Sequence, residues 1–578
     1  MTEQNKVIES EKDEIISREC RFVIHVPKNK ERPDLHLIKE RVHWKSGRSE
    51  PRLRWIKNFT RPFWITNKNY QTHKQKKEVE SIDRLTQHNC TQSDLRDKIA
   101  TALGFDYSQN HIRKLANSPY LYGTEIGSQA IIKHQYQTAN KTHNTQFSVM
   151  MFDIETDMLN GTQEPIITTA AFGNELYIGV TKDFIKGIVD PETNFREKCI
   201  QYISEFTDIS KYVITYIEAN GTVDLIRKAF DWIHIRKPDF LAIWNIDFDI
   251  PKILDTLKRY GVDPRDILCD PSVPEPARLC QYKEGLRKKR KANGAEYPID
   301  YADQWHSLLL TASFYVIDAM CVYRLLRLSK QKQNSYGLDA TLDRELGVRK
   351  LNFKEAEVYK KDRWHIFMQK NFKIEYMVYA LFDSLSMKLL DDKTLDLCFT
   401  IPSFAGDTHF AKCNSKPKMI ADMLHFFALE RGYVLNSVGE QKDPIEVKET
   451  IVIEEGAERE PSIEGEPETL SLLDWIMTLP AHLVVPGLPL VYENLHIRTK
   501  LRAFVYDSDC VSAYPTCTSI LNVSKSTTKR EIVDINGIEE SVFRRQNINL
   551  CSGYVNSLEY GKEMFGLPNL FELNELID

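Results

Sequence analysis

The sequence predicts a multidomain protein that combines an α/β region with mixed α+β regions. At 578 residues, the chain is long enough for three or four domains of ordinary size. Its composition, 42% hydrophobic and 28% charged, is typical of proteins with large buried cores. Between residues 146 and 400, apolar runs alternate with helical patterns, which indicates a sheet packed against helices.

The α/β region has a regular order of segments. Residues 146–152 form a continuous apolar run, the pattern of a strand that is buried on both faces. Further strand-like runs lie within residues 165–180, 240–244 and 314–318. Helical patterns cover residues 197–218, 221–236, 250–260 and 371–395. This alternation predicts one central sheet covered by helices.

Composition and charge exclude several classes of protein. No stretch approaches the roughly 20 uncharged apolar residues of a membrane span, and the polar, acidic N-terminus is unlike a secretory signal. Eleven cysteines are scattered without a CxxC pair, so neither a disulfide framework nor a zinc module is indicated. The net charge of −5 argues against a protein that coats DNA nonspecifically. We expect a soluble, intracellular protein with no membrane partner.

One segment departs from this acidic average. Residues 28–77 contain 15 Lys and Arg against 4 Asp and Glu, interleaved with aromatic residues. Cations that neutralise phosphates, mixed with rings that stack on bases, favour single-stranded nucleic acid. We predict that the segment contacts DNA through four cations, Arg52, Arg54, Lys57 and Arg61. A solvated basic face over a small aromatic core explains the same composition equally well.

Acidic residues recur at the ends of the predicted strands. Asp153 and Glu155 directly follow the first apolar run, and their i, i+2 spacing puts both carboxylates on one face. Asp247 and Asp249 follow the strand that ends at residue 244. Pro251 fits the first turn of the next helix, which places Asp249 near the N-terminal end of that helix.

The predicted helix over residues 371–395 supplies a third acidic group. Tyr379 and Asp383 are four residues apart and therefore share a helix face. Four carboxylates brought together could hold two Mg²⁺ ions, because adjacent anions repel unless a divalent cation neutralises them. Two such ions activate a water and stabilise the leaving oxygen in phosphodiester cleavage, and a Tyr hydroxyl could orient that water.

The segments DIET, WNIDFDIPKIL and YALFD, in this order and spacing, resemble the three exonuclease motifs of family B DNA polymerases. The resemblance implies an RNase H-like 3′→5′ exonuclease domain that binds two Mg²⁺ ions, or Mn²⁺. Its metal ligands would be the four carboxylates Asp153, Glu155, Asp249 and Asp383. By the same resemblance, Tyr379 positions the attacking water, and the substrate strand is contacted by Asn245 and Phe248.

The second of these motifs departs from the family pattern. Only Ile246 and Asp247 separate Asn245 from Phe248, where the family has three residues. Asp247 therefore competes with Asp249 for the role of metal ligand, although the ending Phe248–Asp249 matches the family.

A fourth segment resembles motif A of the family B palm. Residues 505–516, VYDSDCVSAYPT, place Asp509 at the end of a strand-like run and before a turn. The resemblance implies that Asp509 binds the catalytic Mg²⁺ ions and that Ser512 and Tyr514 bind the incoming nucleotide. Ala513 replaces the leucine that is common in this motif.

The overall resemblance is to the replicative polymerases of T-even-type and related large tailed bacteriophages. About 70 residues follow motif A, so we expect the N-terminal part of a split or truncated polymerase that needs a separate C-terminal chain. The implied partners are primer–template and single-stranded DNA, dNTPs, and a sliding clamp reached through that second chain. The implied location is the cytoplasm of an infected bacterial host. The alternatives are a stand-alone 3′→5′ exonuclease with a palm remnant and a catalytically dead DNA-binding scaffold.

These assignments give a domain order along the chain. We expect a disordered tail over residues 1–20, a mixed N-terminal DNA-binding domain over 21–145 and an exonuclease domain over 146–400. A palm-approach segment over 401–500, with an acidic insertion at 440–469, precedes a partial palm over 501–578.

Overall fold

The computed structural model describes residues 14–74, 76–77, 79–105, 111–140, 145–290, 296–327, 333–400 and 416–439. These residues belong to one compact unit. No helix within these ranges is both long and apolar enough to cross a membrane. The predicted acidic insertion and partial palm, with Asp509, Ser512 and Tyr514, lie outside the described residues.

The N-terminal part consists of short strands with three helices. Its elements are β1 (Ile15–Val26), β2 (Leu35–Trp44), β3 (Ser49–Lys57), β4 (Thr60–Thr66), β5 (Val79–Ser81), β6 (Leu85–Thr91), α1 (Leu95–Leu103), α2 (Ile112–Leu115), β7 (Leu121–Tyr122) and α3 (Ser128–Ala139). They form the sheets β1-β2-β3 and β6-β4-β7.

The central part alternates strands and helices, as the sequence predicts. Its first half contains β8 (Val149–Thr156), β9 (Pro165–Phe172), β10 (Glu175–Thr181), α4 (Pro191–Ile203), β11 (Val213–Ala219), α5 (Thr222–Arg236), β12 (Phe240–Ile243), α6 (Ile246–Arg259) and α7 (Arg265–Leu268). The second half contains β13 (Cys280–Lys283), β14 (Lys288–Arg290), β15 (Glu296–Pro298), β16 (Ser307–Leu310), β17 (Tyr315–Asp318), α8 (Ala319–Leu326), α9 (Leu338–Leu346), α10 (Asp362–Asn371) and α11 (Lys373–Thr394). The last described elements are α12 (Lys416–Glu430) and β18 (Tyr433–Leu435).

The central sheet has six strands in the order β11-β10-β9-β8-β12-β17. Strand β9 runs antiparallel to both β8 and β10. The strands β8, β12 and β17 are parallel, and β10 is parallel to β11. The structure therefore confirms a mixed α/β arrangement around a central sheet.

Both faces of β8 are buried. Met151 packs into the core that includes α4 and α11, whereas Met150 and Phe152 pack into the core that includes α5 and α6. Alternate residues of a strand point to opposite faces, so a strand between two helical layers is apolar throughout. This arrangement explains the continuous apolar run before Asp153.

Two helix predictions differ from the structure in their bounds. The expected helix over residues 197–218 is α4 followed by the edge strand β11, whose β-branched and aromatic residues favour an extended backbone. Helix α6 begins at Ile246, so Pro251 lies in its second turn rather than its first. Asp247 and Asp249 consequently both lie in the first turn of α6.

The N-terminal strands contribute both to a core of their own, which includes Phe63 and Leu121, and to the core around α11. Phe22 of β1 and Leu37 of β2 pack in the same core as α11. Lys39 is fully buried, and its ammonium donates to the carbonyl oxygens of Lys237 (2.8 Å) and Ser313 (2.7 Å). The core around α11 therefore contains residues from both sides of the expected boundary at residue 145. Strand β1 also begins inside the segment that the sequence predicted as a disordered tail.

The described part of the expected palm-approach segment returns to the N-terminal strands. Strand β18 pairs antiparallel with β5, and the backbone N–H of Ser437 donates to the carbonyl oxygen of Leu121 (3.1 Å). These residues therefore extend the N-terminal part of the fold.

Candidate active site

A cleft with a volume of about 330 Å³ lies at the ends of β8 and β12, beside α11. Strand β8 contributes Asp153 and Glu155, and the first turn of α6 contributes Asp249. Helix α11 contributes Tyr379 and Asp383. Three elements that are far apart in the chain thus bring all five predicted exonuclease residues to one place.

Three of the carboxylates are in close proximity. One oxygen atom from each of Asp153, Glu155 and Asp383 lies within 4.8 Å of the other two. The i, i+2 spacing on β8 points the first two side chains toward the face on which α11 packs. Asp249 lies in the same cleft and is buried, with 3% of its surface exposed.

Burial and mutual repulsion disfavour the ionised forms of these carboxyl groups. Burial, reinforced by the charges of Asp383 and Glu155, holds the pKa of Asp153 well above its ordinary value. Burial and the neighbouring Asp153 have the same effect on the pKa of Asp249. For Glu155, burial and the Asp383 carboxylate raise the pKa to about 8. A divalent cation would favour the ionised carboxylates, because its charge compensates for the hydration lost on burial and offsets the repulsion between them.

Two carboxylate oxygens in the cleft lack a hydrogen bond. Oδ1 of Asp249 and Oδ1 of Asp383 are both buried without a hydrogen-bond partner. A buried anionic oxygen without a donor is unfavourable, and carboxylate oxygens are the ligands that Mg²⁺ and Mn²⁺ prefer. The residues in the cleft therefore fit a divalent metal ion.

Lys350 is a cleft residue that the sequence analysis missed. Its ammonium donates to Oδ2 of Asp383 (2.6 Å) and to the hydroxyl of Tyr379 (3.3 Å). Burial alone would lower the pKa of Lys350, but the Asp383 carboxylate outweighs it, and the pKa lies well above its ordinary value. The residue lies between α9 and α10, and no local motif marks it, so only the folded structure shows its proximity to the carboxylates.

Glu155 is oriented by two further residues that the sequence analysis missed. The hydroxyl of Tyr376, one helix turn before Tyr379, donates to Oε2 of Glu155 (2.5 Å). Nδ1 of His365 lies 2.9 Å from the same hydroxyl and 3.6 Å from Oε2 of Glu155. Burial and the nearby Lys350 lower the pKa of His365 to about 4, so its ring is neutral near pH 7. The i, i+3 spacing of Tyr376 and Tyr379, which puts both on one helix face, is a sequence signal that could have indicated Tyr376.

The structure separates the two candidates in the second motif. Asp249 lines the cleft, whereas Asp247 lies against the opposite side of the first turn of α6. The Asp247 carboxylate accepts from the guanidinium of Arg287 (2.9 Å) and from the hydroxyl of Tyr282 (3.3 Å). These donors occupy the carboxylate of Asp247. Asp249 is therefore the residue of this motif that lies beside Asp153 in the cleft.

Asn245 and Phe248 also line the cleft. Asn245 immediately precedes α6, and Phe248 lies in its first turn with 44% of its surface exposed. The ammonium of Lys252 lies 5.9 Å from the centre of the Phe248 ring. An exposed ring beside a cation is suited to stacking on a nucleobase next to a phosphate.

Three of the four cations predicted to contact DNA lie on β3, an edge strand of the N-terminal sheet. Arg54 and Lys57 are exposed. Arg52 is half-buried and forms an ion pair with Glu50 (2.5 Å). Arg54 and Lys57 are therefore the two cations of this segment that remain accessible to a DNA phosphate.

The prediction that Arg61 contacts DNA is wrong. Arg61 is 1% exposed, and its guanidinium donates to the carbonyl oxygens of Gly123 (2.7 Å) and Thr124 (3.2 Å). The neighbouring Phe63 and Trp64 are buried as well. This part of the basic segment is thus a core strand, as the solvated-face interpretation expected for its aromatic residues.

Comparison of the chain with protein-family models and with curated proteins finds no match in either case.

Proposed function

We propose that this cleft hydrolyses phosphodiester bonds at the 3′ ends of DNA with divalent metal ions held by Asp153, Glu155, Asp249 and Asp383. The observation that carries the proposal is the convergence of four carboxylates in one cleft. Three of them are buried, and two have an oxygen without a hydrogen bond. A purely structural role would leave this repulsion and these unpaired oxygens without compensation.

The bound metal ions would supply the charge that activates a water and stabilises the leaving oxygen. The chain's own residues prepare the site for that chemistry. Tyr376 fixes the orientation of Glu155, and Lys350 holds Asp383 and Tyr379. Burial and the Asp383 charge keep the pKa of Tyr379 well above its usual range, so the hydroxyl retains its proton and can orient a water.

The substrate class follows from the residues at the edge of the cleft. Phe248 offers an exposed ring and Asn245 a polar side chain, which suit an unpaired base and a sugar or phosphate group. Within the central sheet, β9 alone runs antiparallel to its two neighbours, β8 and β10, and this strand order supports the RNase H-like arrangement that the motifs imply. A single-stranded 3′ end is therefore the substrate that we assign to the cleft.

The wider proposal is that this exonuclease serves a family B-type DNA polymerase of bacteriophage kind. It rests on the sequence motifs, since the nucleotidyl-transfer residues Asp509, Ser512 and Tyr514 lie outside the described residues. In this proposal primer–template DNA, dNTPs, a second polymerase chain and its sliding clamp are the partners. Asp509→Ala should then abolish primer extension by the assembled polymerase and leave 3′ hydrolysis unchanged.

The exonuclease proposal is tested with the full chain and a 5′-labelled single-stranded oligonucleotide, with Mg²⁺ or Mn²⁺. We expect stepwise shortening from the 3′ end, and a loss of more than about 100-fold in the Asp153→Ala, Glu155→Ala double variant because two metal ligands are removed. Asp255→Asn, an exposed acidic change on α6, is the matched control. Undiminished hydrolysis by the double variant would exclude this site.

A further inference from the structure

A second group of potential metal ligands lies in the N-terminal sheet, on the hairpin formed by β1 and β2. His25 of β1 and His36 of β2 are directly paired across the two antiparallel strands. Asp34 immediately precedes β2 and is two residues before His36, so the period of two places both side chains on the same face. The three side chains therefore meet on one side of the hairpin.

The three side chains are in contact and almost completely buried. Nε2 of His25 lies 3.1 Å from both carboxylate oxygens of Asp34, and Nδ1 of His36 lies 3.8 Å from Oδ1 of Asp34. One donor atom from each residue lies within 4.8 Å of the other two. Asp34 and His36 are fully buried, whereas the His25 side chain retains 13% exposure and leaves a path from solvent.

One ring nitrogen in this group is unsatisfied. Nδ1 of His36 is buried without a hydrogen-bond partner, and it faces the Asp34 carboxylate at a distance that is too long for a hydrogen bond. The other ring nitrogen, Nε2, lies 2.7 Å from the hydroxyl of Ser128. When Nε2 donates to that hydroxyl, the Nδ1 lone pair and an anionic oxygen face each other, an arrangement that calls for a cation between them.

Two separations between donor atoms in this group are close to those around a tetrahedral metal ion. Ligands about 2.0–2.1 Å from such an ion are about 3.3 Å apart, and the two measured separations, 3.1 and 3.8 Å, lie on either side of that value. Two imidazoles and one carboxylate favour Zn²⁺ and its neighbours among the transition metals over Mg²⁺. The fourth position would be open to a water through the exposed edge of His25.

The surroundings also resemble those of a metal site. The Ser128 hydroxyl at the start of α3 orients His36, and the backbone N–H of Ser93 donates to Oδ2 of Asp34 (2.9 Å). Partners of this kind fix the orientation of ligands in metal sites. An ion held here would connect the β1–β2 hairpin to α3 and to the segment before α1.

We propose that His25, Asp34 and His36 form a transition-metal site that binds Zn²⁺ and stabilises the N-terminal part of the fold. This site is separate from the carboxylate cleft and does not depend on the proposed exonuclease activity. The site uses no cysteine ligand, so the scattered cysteines of the sequence did not indicate it.

The test uses full-length, metal-stripped protein that carries Asp153→Asn and Asp383→Asn, so that the cleft does not bind the added metal. Zn²⁺ binding is measured by calorimetry, and Co²⁺ is used as a spectroscopic probe, because nitrogen-ligated Co²⁺ of low coordination number absorbs strongly in the visible range. We expect one equivalent of Zn²⁺ to bind and to displace Co²⁺. His25→Gln should weaken binding by at least 100-fold, and Ser128→Ala by about 10- to 100-fold.

The control is His88→Gln, which changes a half-buried histidine of β6 that stacks on Phe63. It should leave Zn²⁺ affinity unchanged. Because Gln keeps a side-chain N–H that can donate to the Asp34 carboxylate, His25→Gln should retain the circular dichroism spectrum and the metal-free melting temperature of the parent. Absence of stoichiometric Zn²⁺ binding by the parent, or binding that persists in both His25→Gln and Asp34→Asn, would overturn the proposal.

Discussion

The ammonium of Lys350 lies 2.6 Å from Oδ2 of Asp383, within a group of carboxylates that otherwise repel one another. The Asp383 carboxylate, together with the nearby Tyr379 and Asp153, outweighs the burial of the lysine and raises the pKa of Lys350. Among the described residues that line the cleft, Lys350 is the one cation, and any metal ion that binds there shares the carboxylates with it.

Lys350→Met should destabilise the metal-free protein and reduce 3′ hydrolysis. The change leaves Asp383 buried without its counter-charge, at a cost of about 2–3 kcal/mol in the free energy of unfolding, less than for a fully buried pair because Lys350 is partly exposed. Added Mn²⁺ should recover most of the stability, since a metal ion replaces the missing charge. Chemical denaturation with and without Mn²⁺ measures both effects. The control is Lys354→Met, at an exposed lysine four residues further along the chain, which should change neither the stability nor the hydrolysis.

Asp153→Asn should stabilise the metal-free protein while removing its response to metal. Neutralising Asp153 removes its repulsion with Asp383 and Glu155 and the charge that raises the pKa of Asp249, so the free energy of unfolding should increase by about 1 kcal/mol. Divalent ions that bind only the folded state raise the melting temperature. Mn²⁺ should do so for the unaltered protein and much less for Asp153→Asn. Equal metal-dependent shifts in both proteins would contradict the ligand assignment.

Ionisation of the buried Asp318 carboxyl should lower the free energy of unfolding as the pH rises toward neutrality. Asp318 is buried at the start of α8, and burial raises its pKa to about 7 from an ordinary value of 3.8. Between these values the folded state keeps a proton that the unfolded chain has lost. The contribution of this group to stability is therefore full below about pH 4 and is lost as pH rises through about 7.

Asp318→Asn isolates that contribution. Asparagine keeps the acceptor that Oδ1 presents to the backbone N–H of Cys321 (2.9 Å), but it does not titrate. The variant should remove a pH-dependent decline of up to about 4 kcal/mol in the free energy of unfolding, measured by denaturation from pH 4 to 8. The exposed helix cap Asp190→Asn is the control and should leave the pH profile unaltered.

The parts of the fold and site that the sequence predicted are those that local spacing determines. The alternation of residues in β8 fixes both the apolar run and the shared direction of Asp153 and Glu155. Helical spacing likewise joins Tyr379 to Asp383. These rules concern neighbours in the chain, so they needed no knowledge of tertiary packing.

The residues that the sequence did not predict depend on contacts between distant segments. Lys350 reaches Asp383 only because the loop before α10 folds over α11. The sequence around Arg61 indicates a surface cation. In the fold, its guanidinium instead donates to the carbonyl oxygens of Gly123 and Thr124, which lie about 60 residues further along the chain. Lys39 similarly joins the N-terminal sheet to the central part across the expected boundary at residue 145.

The last prediction separates phosphate contacts from structural cations in the basic segment. Arg54 and Lys57 are exposed on the edge strand β3, so the double change to Gln should remove counterion release at two positions. The slope of log affinity against log salt for single-stranded DNA should then decrease in magnitude by about 1.4, at about 0.7 per contact. Arg61→Gln removes buried donors instead, so it should lower the melting temperature and leave the slope unchanged. Salt titrations of a fluorescent oligonucleotide measure the slopes. An unchanged slope in the Arg54, Lys57 double variant would mean that β3 presents only a solvated basic surface, and that DNA reaches the cleft by another face.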